Sequence, residues 1–350
     1  MRDQALAGVL LVGVFPEKEG HVAYLTGYRI WTPLWPSSDA LTGAGFSFVL
    51  VTASEVELFA TRLDPTSKCD LIRATECNNL LAAVGSRISD LLRSTPRMGV
   101  AGLDILPYPL SPRLPSAHNL VDLDSELFRW RAQKDDFERQ ILAEGAALAA
   151  RAIEAGRSAT RPTRLNRDIA AAVISAAIGL GAQHILRCRV RSGGETGVVR
   201  WPYASDRELL RGDFVQVDLV GIHKNYVFDV SRAWIVGTGD SNQLDAIGRA
   251  EQLTQSLVKC LRPDLSIAAA VDAWRLTNDL APTYEAIVDG HSIGLDVVEP
   301  PWITLSEPFC LKEGMVFCVE PSVKFDGGQA LKVEETVLIK KEENVILSVL

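Results

Sequence analysis

The chain has 350 residues, of which 47% are apolar, a formal net charge of −8 and six cysteines. This length predicts two domains, and the negative charge excludes nucleic acid and anionic membranes as partners, since both attract a basic face. The cysteines show no C-x-x-C spacing, which predicts reduced thiols and a cytoplasmic location. An apolar run at residues 5–15 is too short to span a bilayer.

The first part of the chain alternates short apolar runs with turns. Strands are predicted at residues 8–15, 22–25, 46–51 and 56–59, and a helix at about 80–92. Four prolines between residues 107 and 115 then indicate a connecting segment. These features predict a small α/β domain over residues 1–120.

Residues 121–350 combine helices with strand hairpins. An Ala-rich helix is predicted from about residue 137 until Gly156, and further helices at 166–181, 241–261 and 267–280. Alternating apolar runs lie between and after these helices. The pattern predicts an α+β domain with a curved, mostly antiparallel sheet and flanking helices.

The first hairpin lies within residues 212–236 and carries two aspartates. A turn centred between His223 and Lys224 places Asp218 and Asp229 opposite each other, with Cβ atoms about 5 Å apart. Two like charges at that distance repel unless a divalent cation lies between them. The hairpin therefore predicts half of a metal site.

A second hairpin near the C-terminus has the same design. Glu320 and Glu334 are symmetric about Gly327 in the turn sequence Asp-Gly-Gly. One such pair is ordinarily part of a solvated strand face, but two pairs in apolar hairpins favour a metal site. His291, in a Gly-containing apolar stretch between the hairpins, adds the nitrogen ligand that Mn, Fe, Co or Zn accepts.

Several stretches together resemble the pita-bread metallohydrolases, which include creatinase, aminopeptidase P, prolidase and methionine aminopeptidase. The matching segments, in order, are GDFVQVDL, DVSR, GHSIGLDVVEPP, GMVFCVEP and KVEETVLI. Upstream, YLTG at 24–27 and KDDFE at 134–138 resemble the creatinase and aminopeptidase P branch. The resemblance implies an α+β fold in which a creatinase-like N-terminal domain precedes a pita-bread catalytic domain.

The resemblance also implies a site and a chemistry. Two divalent ions would be bound, with Asp229 and Glu334 bridging them, and would supply a hydroxide near neutral pH. Glu320 would also carry the proton to the leaving nitrogen. A homodimer is the usual assembly of the family. The implied metal ligands are Asp218, Asp229, His291, Glu320 and Glu334.

Two departures from the family bear on the substrate. The histidines that contact the scissile carbonyl in the family's peptidases fall on Trp201 and Val298, and each lost donor is worth about 2.7 to 4 kcal/mol in a transition state. Together with Tyr203 and Trp302, these residues would form an apolar pocket. The first hypothesis is therefore a hydrolase that cleaves a C–N bond in a small, non-peptide substrate.

Three alternatives remain open. The chain could be an Xaa-Pro peptidase proper. It could also be a lyase that resembles the dimethylsulfoniopropionate-cleaving enzymes, with Asp296 as its base, although the simpler interpretation of Asp296 is a surface or supporting acid. It could also be a binding module without activity. Five intact ligands favour an enzyme, because an acidic cluster without metal costs stability.

Overall fold

The computed structural model describes residues 6–16, 18–30, 43, 45–63, 71–197, 202–278, 290–324 and 330–349. The chain divides into two compact units, Met1–Arg131 and Ala132–Leu350. This division falls after the boundary predicted at residue 120, because Leu120–Asp122 pairs with a strand of the first unit and Leu127 packs into that unit's core. None of the described helices is both long and apolar enough to cross a membrane.

The N-terminal unit contains a six-stranded mixed sheet in the order β4-β3-β2-β1-β5-β6. Strand β1 is antiparallel to β2, and β2 to β3, while β1–β5, β5–β6 and β3–β4 are parallel. The strands are β1 Val9–Val14, β2 Phe46–Val51, β3 Val56–Ala60, β4 Ile72–Glu76, β5 Met98–Ala101 and β6 Leu120–Asp122, and the α-helices are α1 Gly20–Thr26, α2 Leu80–Leu91 and α3 Asp124–Ala132.

Strand β1 is apolar throughout because both of its faces are buried. Leu10 belongs to the core formed with helix α2, whereas its neighbour Leu11 belongs to the core that contains Val22 of helix α1. The strand predicted at residues 22–25 is wrong, since these residues form α1. Four apolar residues cannot distinguish a strand from a buried helix by periodicity, and Gly27 ends this helix with a φ of 68°, a conformation that favours glycine.

The described residues of the C-terminal unit form three sheets, and all of the paired strands in them are antiparallel. The strand orders are β7-β8-β9, β11-β10-β12-β15-β16 and β13-β14. The strands are β7 His184–Ser192, β8 Phe214–His223, β9 Tyr226–Ile235, β10 Gly290–Ser292, β11 Glu299–Trp302, β12 Val316–Val319, β13 Ser322–Lys324, β14 Ala330–Lys332, β15 Glu335–Leu338 and β16 Val345–Ile346. The helices are α4 Asp136–Ala159, α5 Asn166–Gly179, α6 Ser241–Cys260 and α7 Ile267–Thr277.

Helix α4 begins at a reciprocal cap and continues past Gly156. Asp135 accepts from the Glu138 backbone, and the Glu138 side chain accepts from the Asp135 backbone. The helix does not end at Gly156, as predicted, but continues to Ala159. Gly156 lies against helix α5, where a Cβ atom would collide with Val173, so this glycine permits close helix packing instead of ending the helix.

Candidate metal centre

The β8–β9 hairpin brings Asp218 and Asp229 to one face. Its two-residue turn is Lys224–Asn225, with φ values of 46° and 71°, as in the type I′ turns that suit the twist of a hairpin. The register pairs Asp218 with Ser231 and Asp229 with Val220. The predicted opposition of the two aspartates is therefore wrong: the turn lies one residue later, and the carboxylates are diagonal neighbours on the same face.

The second hairpin has the predicted register. Val319 pairs with Glu335 and Ser322 with Lys332, which is the register that places Glu320 opposite Glu334. The Asp-Gly-Gly turn at 326–328 lies outside the described residues. A bridge between Ser231 and Glu334 joins this hairpin to strand β9, so the carboxylates of both hairpins meet at one place.

His291 reaches the carboxylates from strand β10. Its Nε2 lies 3.5 Å from Glu320 Oε1 and 4.0 Å from Asp229 Oδ2. Its Nδ1 lies 3.0 Å from the carbonyl oxygen of Ser292, which can accept only if Nδ1 carries the proton. That tautomer leaves the Nε2 lone pair directed at the carboxylates, as in histidines that bind metals.

The carboxylates are buried with oxygens that form no hydrogen bond. Asp218, Asp229 and Glu334 are at most 3% exposed. Oδ1 of each aspartate and Oε1 of Glu334 have no hydrogen-bond partner, and a bound divalent ion would offset the free energy that buried carboxylate oxygens without partners cost. Carboxylates with one imidazole are a donor set that Mn, Fe, Co and Zn accept. The residues therefore fit the implied metal ions.

The pKa values reflect this crowding. Burial raises the pKa of Glu334 to about 8, with Lys332 opposing the shift and Glu320 adding to it. Burial and the charge of Glu334 raise the pKa of Asp229 well above its usual value. Burial acts in the same direction on Asp218, but Lys332 and Arg189 outweigh it and lower its pKa. A bound divalent ion would favour the ionised form of all these groups.

Three cationic side chains that sequence analysis missed surround the acids. Lys332 Nζ lies 3.2 Å from both Asp218 Oδ2 and Glu334 Oε2 and also donates to Glu320. From strand β7, Arg189 Nη1 lies 3.2 Å from Asp218 Oδ2, and Arg187 Nη2 lies 3.7 Å from Asp229 Oδ2. Arg187 and Arg189 are two residues apart, as are Lys332 and Glu334. This spacing places the members of each pair on one face of a strand and was a signal in the sequence.

Cys318 is a further missed neighbour. Its Sγ, His291 and Glu334 offer ligand atoms that all lie within 4.8 Å of one another. Burial raises the pKa of this thiol well above its usual value, so the thiol is protonated at neutral pH in the metal-free protein. Its spacing of two residues from Glu320 was a sequence signal for a shared face, and in the structure His291 pairs directly with Cys318.

The predicted pocket residues occupy different environments. Trp302 is partly exposed, and its ring lies 6.3 Å from that of His291 in an edge contact. Val298 is half-buried and packs against an apolar cluster that includes Cys318. The Tyr203 carbonyl accepts from Arg191 Nη1 at 2.7 Å. Trp201 lies outside the described residues.

Asp296, the candidate base of the lyase hypothesis, is 7% exposed, and its backbone N–H donates to Glu299 Oε1. The same Glu299 oxygen accepts from the Leu295 backbone. Glu299 also lies 3.5 Å from the buried Lys134 Nζ, which donates to Ser292 Oγ beside His291. This buried network holds the segment that carries both His291 and Asp296.

Comparison with known proteins identifies the class. The sequence pattern described as metallopeptidase family M24 matches residues 140–341, more than half of the chain, so the chain belongs to this family of metal-dependent hydrolases. Its predicted pita-bread fold is confirmed by solved structures. The prolidase from Pyrococcus furiosus superposes with a TM-score of 0.83 at 20% identity, covering 100% of this chain and 98% of that one.

Curated relatives extend over most of the chain. It is 23% identical over 308 residues to the Xaa-Pro dipeptidase of Pyrococcus furiosus, covering 84% of this chain and 85% of the relative. It is 28% identical over 355 aligned positions to the probable dipeptidase PepE of Mycobacterium tuberculosis, covering 97% and 89%. The structure of dipeptidase PepE from Mycobacterium ulcerans matches with a TM-score of 0.78 at 23% identity, covering 100% and 92%.

Proposed function

We propose that this protein is a metal-dependent dipeptidase that hydrolyses the amide bond of short peptides, Xaa-Pro dipeptides included. The observation that carries the proposal is the cluster of four carboxylates and His291, in which Asp218, Asp229 and Glu334 are buried and three of their oxygens have no hydrogen-bond partner. Relatives named Xaa-Pro dipeptidase and dipeptidase PepE support a peptide substrate. This proposal replaces the predicted non-peptide substrate, which rested on Trp201 and Val298 and which the comparisons do not support.

In this proposal two divalent ions are held by Asp218, Asp229, His291, Glu320 and Glu334. When bound, such ions polarise a carbonyl as Lewis acids and make water nucleophilic near neutral pH. The donor set accepts Mn, Fe, Co or Zn without selecting among them. The remaining chemistry belongs to the side chains of the protein.

Glu320 is the proposed proton carrier. Its side chain is 19% exposed, whereas those of Asp218, Asp229 and Glu334 are at most 5% exposed, so Glu320 can face both the buried cluster and a bound peptide. It would accept a proton as water attacks the carbonyl carbon. It would then donate that proton to the nitrogen as the C–N bond breaks.

Trp302 is the proposed wall of the substrate pocket. Its partly exposed indole beside His291 offers apolar surface at the cluster, where the side chain of a short peptide can pack. Val298 and Tyr203 are proposed to line the same pocket. Neither Val298 nor an apolar indole face replaces the missing imidazole donors, so turnover is expected to be slower than with those donors.

The proposal includes a homodimer and a cytoplasmic location, as the family resemblance and the cysteine pattern imply. Sedimentation at micromolar concentration tests the first, with a dimer expected. A stable monomer at that concentration would remove this part of the proposal without affecting the metal centre.

The decisive assay uses metal-free protein reconstituted separately with Mn, Co and Zn. Substrates are Xaa-Pro dipeptides, other dipeptides, small non-peptide amides and sulfonium compounds. We expect dipeptide cleavage that chelator abolishes and that Glu320→Gln reduces by about 100-fold or more. Glu251→Gln, on an exposed position of α6, is the matched control.

Two outcomes would contradict the dipeptidase proposal. Cleavage of a small amide without any dipeptide turnover would restore the non-peptide hypothesis. Metal binding without turnover of any compound would favour the binding module.

A further inference from the structure

Two arginines on strand β7 face the candidate metal centre. Arg189 lies directly opposite Asp218 in the β7–β8 register, and Arg187 lies opposite Val220, which in turn pairs with Asp229. Their side chains are 20% and 22% exposed. The guanidinium groups are therefore held mostly inside the protein, at the edge of the carboxylate cluster.

A third arginine on the same strand shows a different environment. Arg191 is 2% exposed and donates to three backbone carbonyl oxygens, those of Val190, Pro202 and Tyr203. These bonds give Arg191 a structural role in holding the 202–203 segment. Arg187 and Arg189 instead form ion pairs with the carboxylates of the cluster.

Metal binding would change the partners of these two arginines. The carboxylates that they contact, Asp229 and Asp218, are the same groups that would bind divalent ions. Arginine stays charged at all accessible pH values, so it would lie close to added positive charge. With Lys332 also present, the positive charges would then outnumber the carboxylates of the cluster, and an excess of positive charge is costly where the cations are held mostly inside the protein.

An anion on the substrate would restore that balance. Resting on the dipeptidase proposal, we infer that Arg187 and Arg189 bind a carboxylate of the substrate beside the metal centre. Planar guanidinium groups match carboxylates in a bidentate geometry. The carboxylate can come from an acidic side chain or from the C-terminus of the peptide.

A kinetic comparison separates these two sources. Wild-type protein is assayed with Glu-Ala and Gln-Ala, with Ala-Glu and Ala-Gln, and with the C-terminal amide of each. We expect kcat/KM to fall at least about 10-fold when the recognised carboxylate becomes an amide, which is about 1.4 kcal/mol. A preference for Glu over Gln assigns the anion to the side chain, and a loss on C-terminal amidation assigns it to the terminus.

The arginine variants test which residues create the preference. Arg187→Leu and Arg189→Leu are expected to remove it, whereas Arg189→Lys should retain part of it because the charge remains. Arg157→Leu, at an ion pair on α4 whose arginine side chain is 60% exposed, is the matched control and should leave the ratio unchanged. Thermal unfolding of each variant confirms that it folds.

Equilibrium binding gives a readout that needs no catalysis. Calorimetric titrations of the metal-loaded protein compare glutarate with glutaramide, in which both carboxylates are replaced by amides. We expect glutarate to bind at least about 10-fold more tightly, with the difference lost in Arg189→Leu. Equal binding in wild type, or a difference that Arg187→Leu and Arg189→Leu leave intact, would overturn the inference. Absence of dipeptide turnover with this binding difference present would instead count only against the dipeptidase proposal.

Discussion

Lys332 Nζ lies 3.2 Å from Asp218 Oδ2, which places a fixed cation among the carboxylates of the cluster. The same ammonium contacts Glu320 and Glu334. The surrounding carboxylates raise its pKa despite burial, which keeps it charged. Lys332 therefore stabilises acids that would otherwise repel one another, and it competes with divalent ions for their oxygens.

Removal of Lys332 should make the protein more dependent on metal. Lys332→Met leaves several buried carboxylates without this cation, and loss of one partner of a buried pair costs about 3 to 5 kcal/mol. We expect a lower unfolding temperature without metal and a larger increase on adding Mn than in wild type. Scanning calorimetry measures both, with Lys259→Met at an exposed position of α6 as control. Equal metal-induced shifts in the variant and wild type would contradict this role.

The metal-free protein should lose stability as pH rises from about 6.5 to 8. Burial raises the pKa of Glu334 to about 8 and raises that of Asp229, so the folded state holds protons that the unfolded chain releases. The free energy of unfolding then falls with pH, by at most about 1.4 kcal/mol per group and unit. Below 6.5, His291, whose pKa burial lowers, acts in the opposite sense.

Chemical denaturation at several pH values between 6.5 and 8 measures this slope. Metal-loaded protein is the control, because bound ions keep the carboxylates ionised in the folded state and remove the slope. A metal-free protein whose stability is constant or rises over this interval would show that Glu334 and Asp229 are already ionised.

Asp229 should matter more for metal retention than its acidic neighbour Asp296. Asp229→Ala removes a carboxylate that lies 4.0 Å from His291 Nε2, whereas Asp296 is joined through its backbone N–H to Glu299 Oε1. We expect metal content after dialysis to be lost in Asp229→Ala and kept in Asp296→Ala, as measured by elemental analysis. Equal loss in both variants would place Asp296 among the ligands.

The buried Lys134–Glu299 pair should be coupled in stability. The two side chains are each 1% exposed, and their charged atoms lie 3.5 Å apart. Lys134→Met should cost about 3 to 5 kcal/mol by leaving Glu299 as a buried charge. Glu299→Gln in the same chain should recover part of this loss. A double-mutant cycle with urea unfolding measures the coupling, and strictly additive effects would refute it.

Much of the fold and of the cluster could be predicted, because strand alternation determines which side chains share a face. Counting from the Asp-Gly-Gly turn gave the register of Glu320 and Glu334. The same counting failed for Asp218 and Asp229, since a type I′ turn at Lys224–Asn225 requires two residues with positive φ, and Lys224 is not a residue that signals this turn.

The cations of the site were missed for a physical reason. Charged residues on a strand are usually solvated, so Arg187 and Arg189 gave no local signal of burial. Only the pairing of β7 with β8, a contact between distant parts of the chain, brings Arg189 opposite Asp218. Helix α1 was missed for a similar reason, because its packing against β1, and not its short apolar run, determines its conformation.

The most direct test of this account is the location of the metal ions. Crystals grown with Mn are measured at the Mn absorption edge, and the anomalous difference map locates the ions without reference to activity. We expect two peaks among Asp218, Asp229, His291, Glu320 and Glu334, with Asp229 and Glu334 between them and Lys332 displaced from Asp218. A map without peaks at this cluster, from crystals that contain Mn in solution at millimolar concentration, would contradict the metal centre on which the proposed dipeptidase rests.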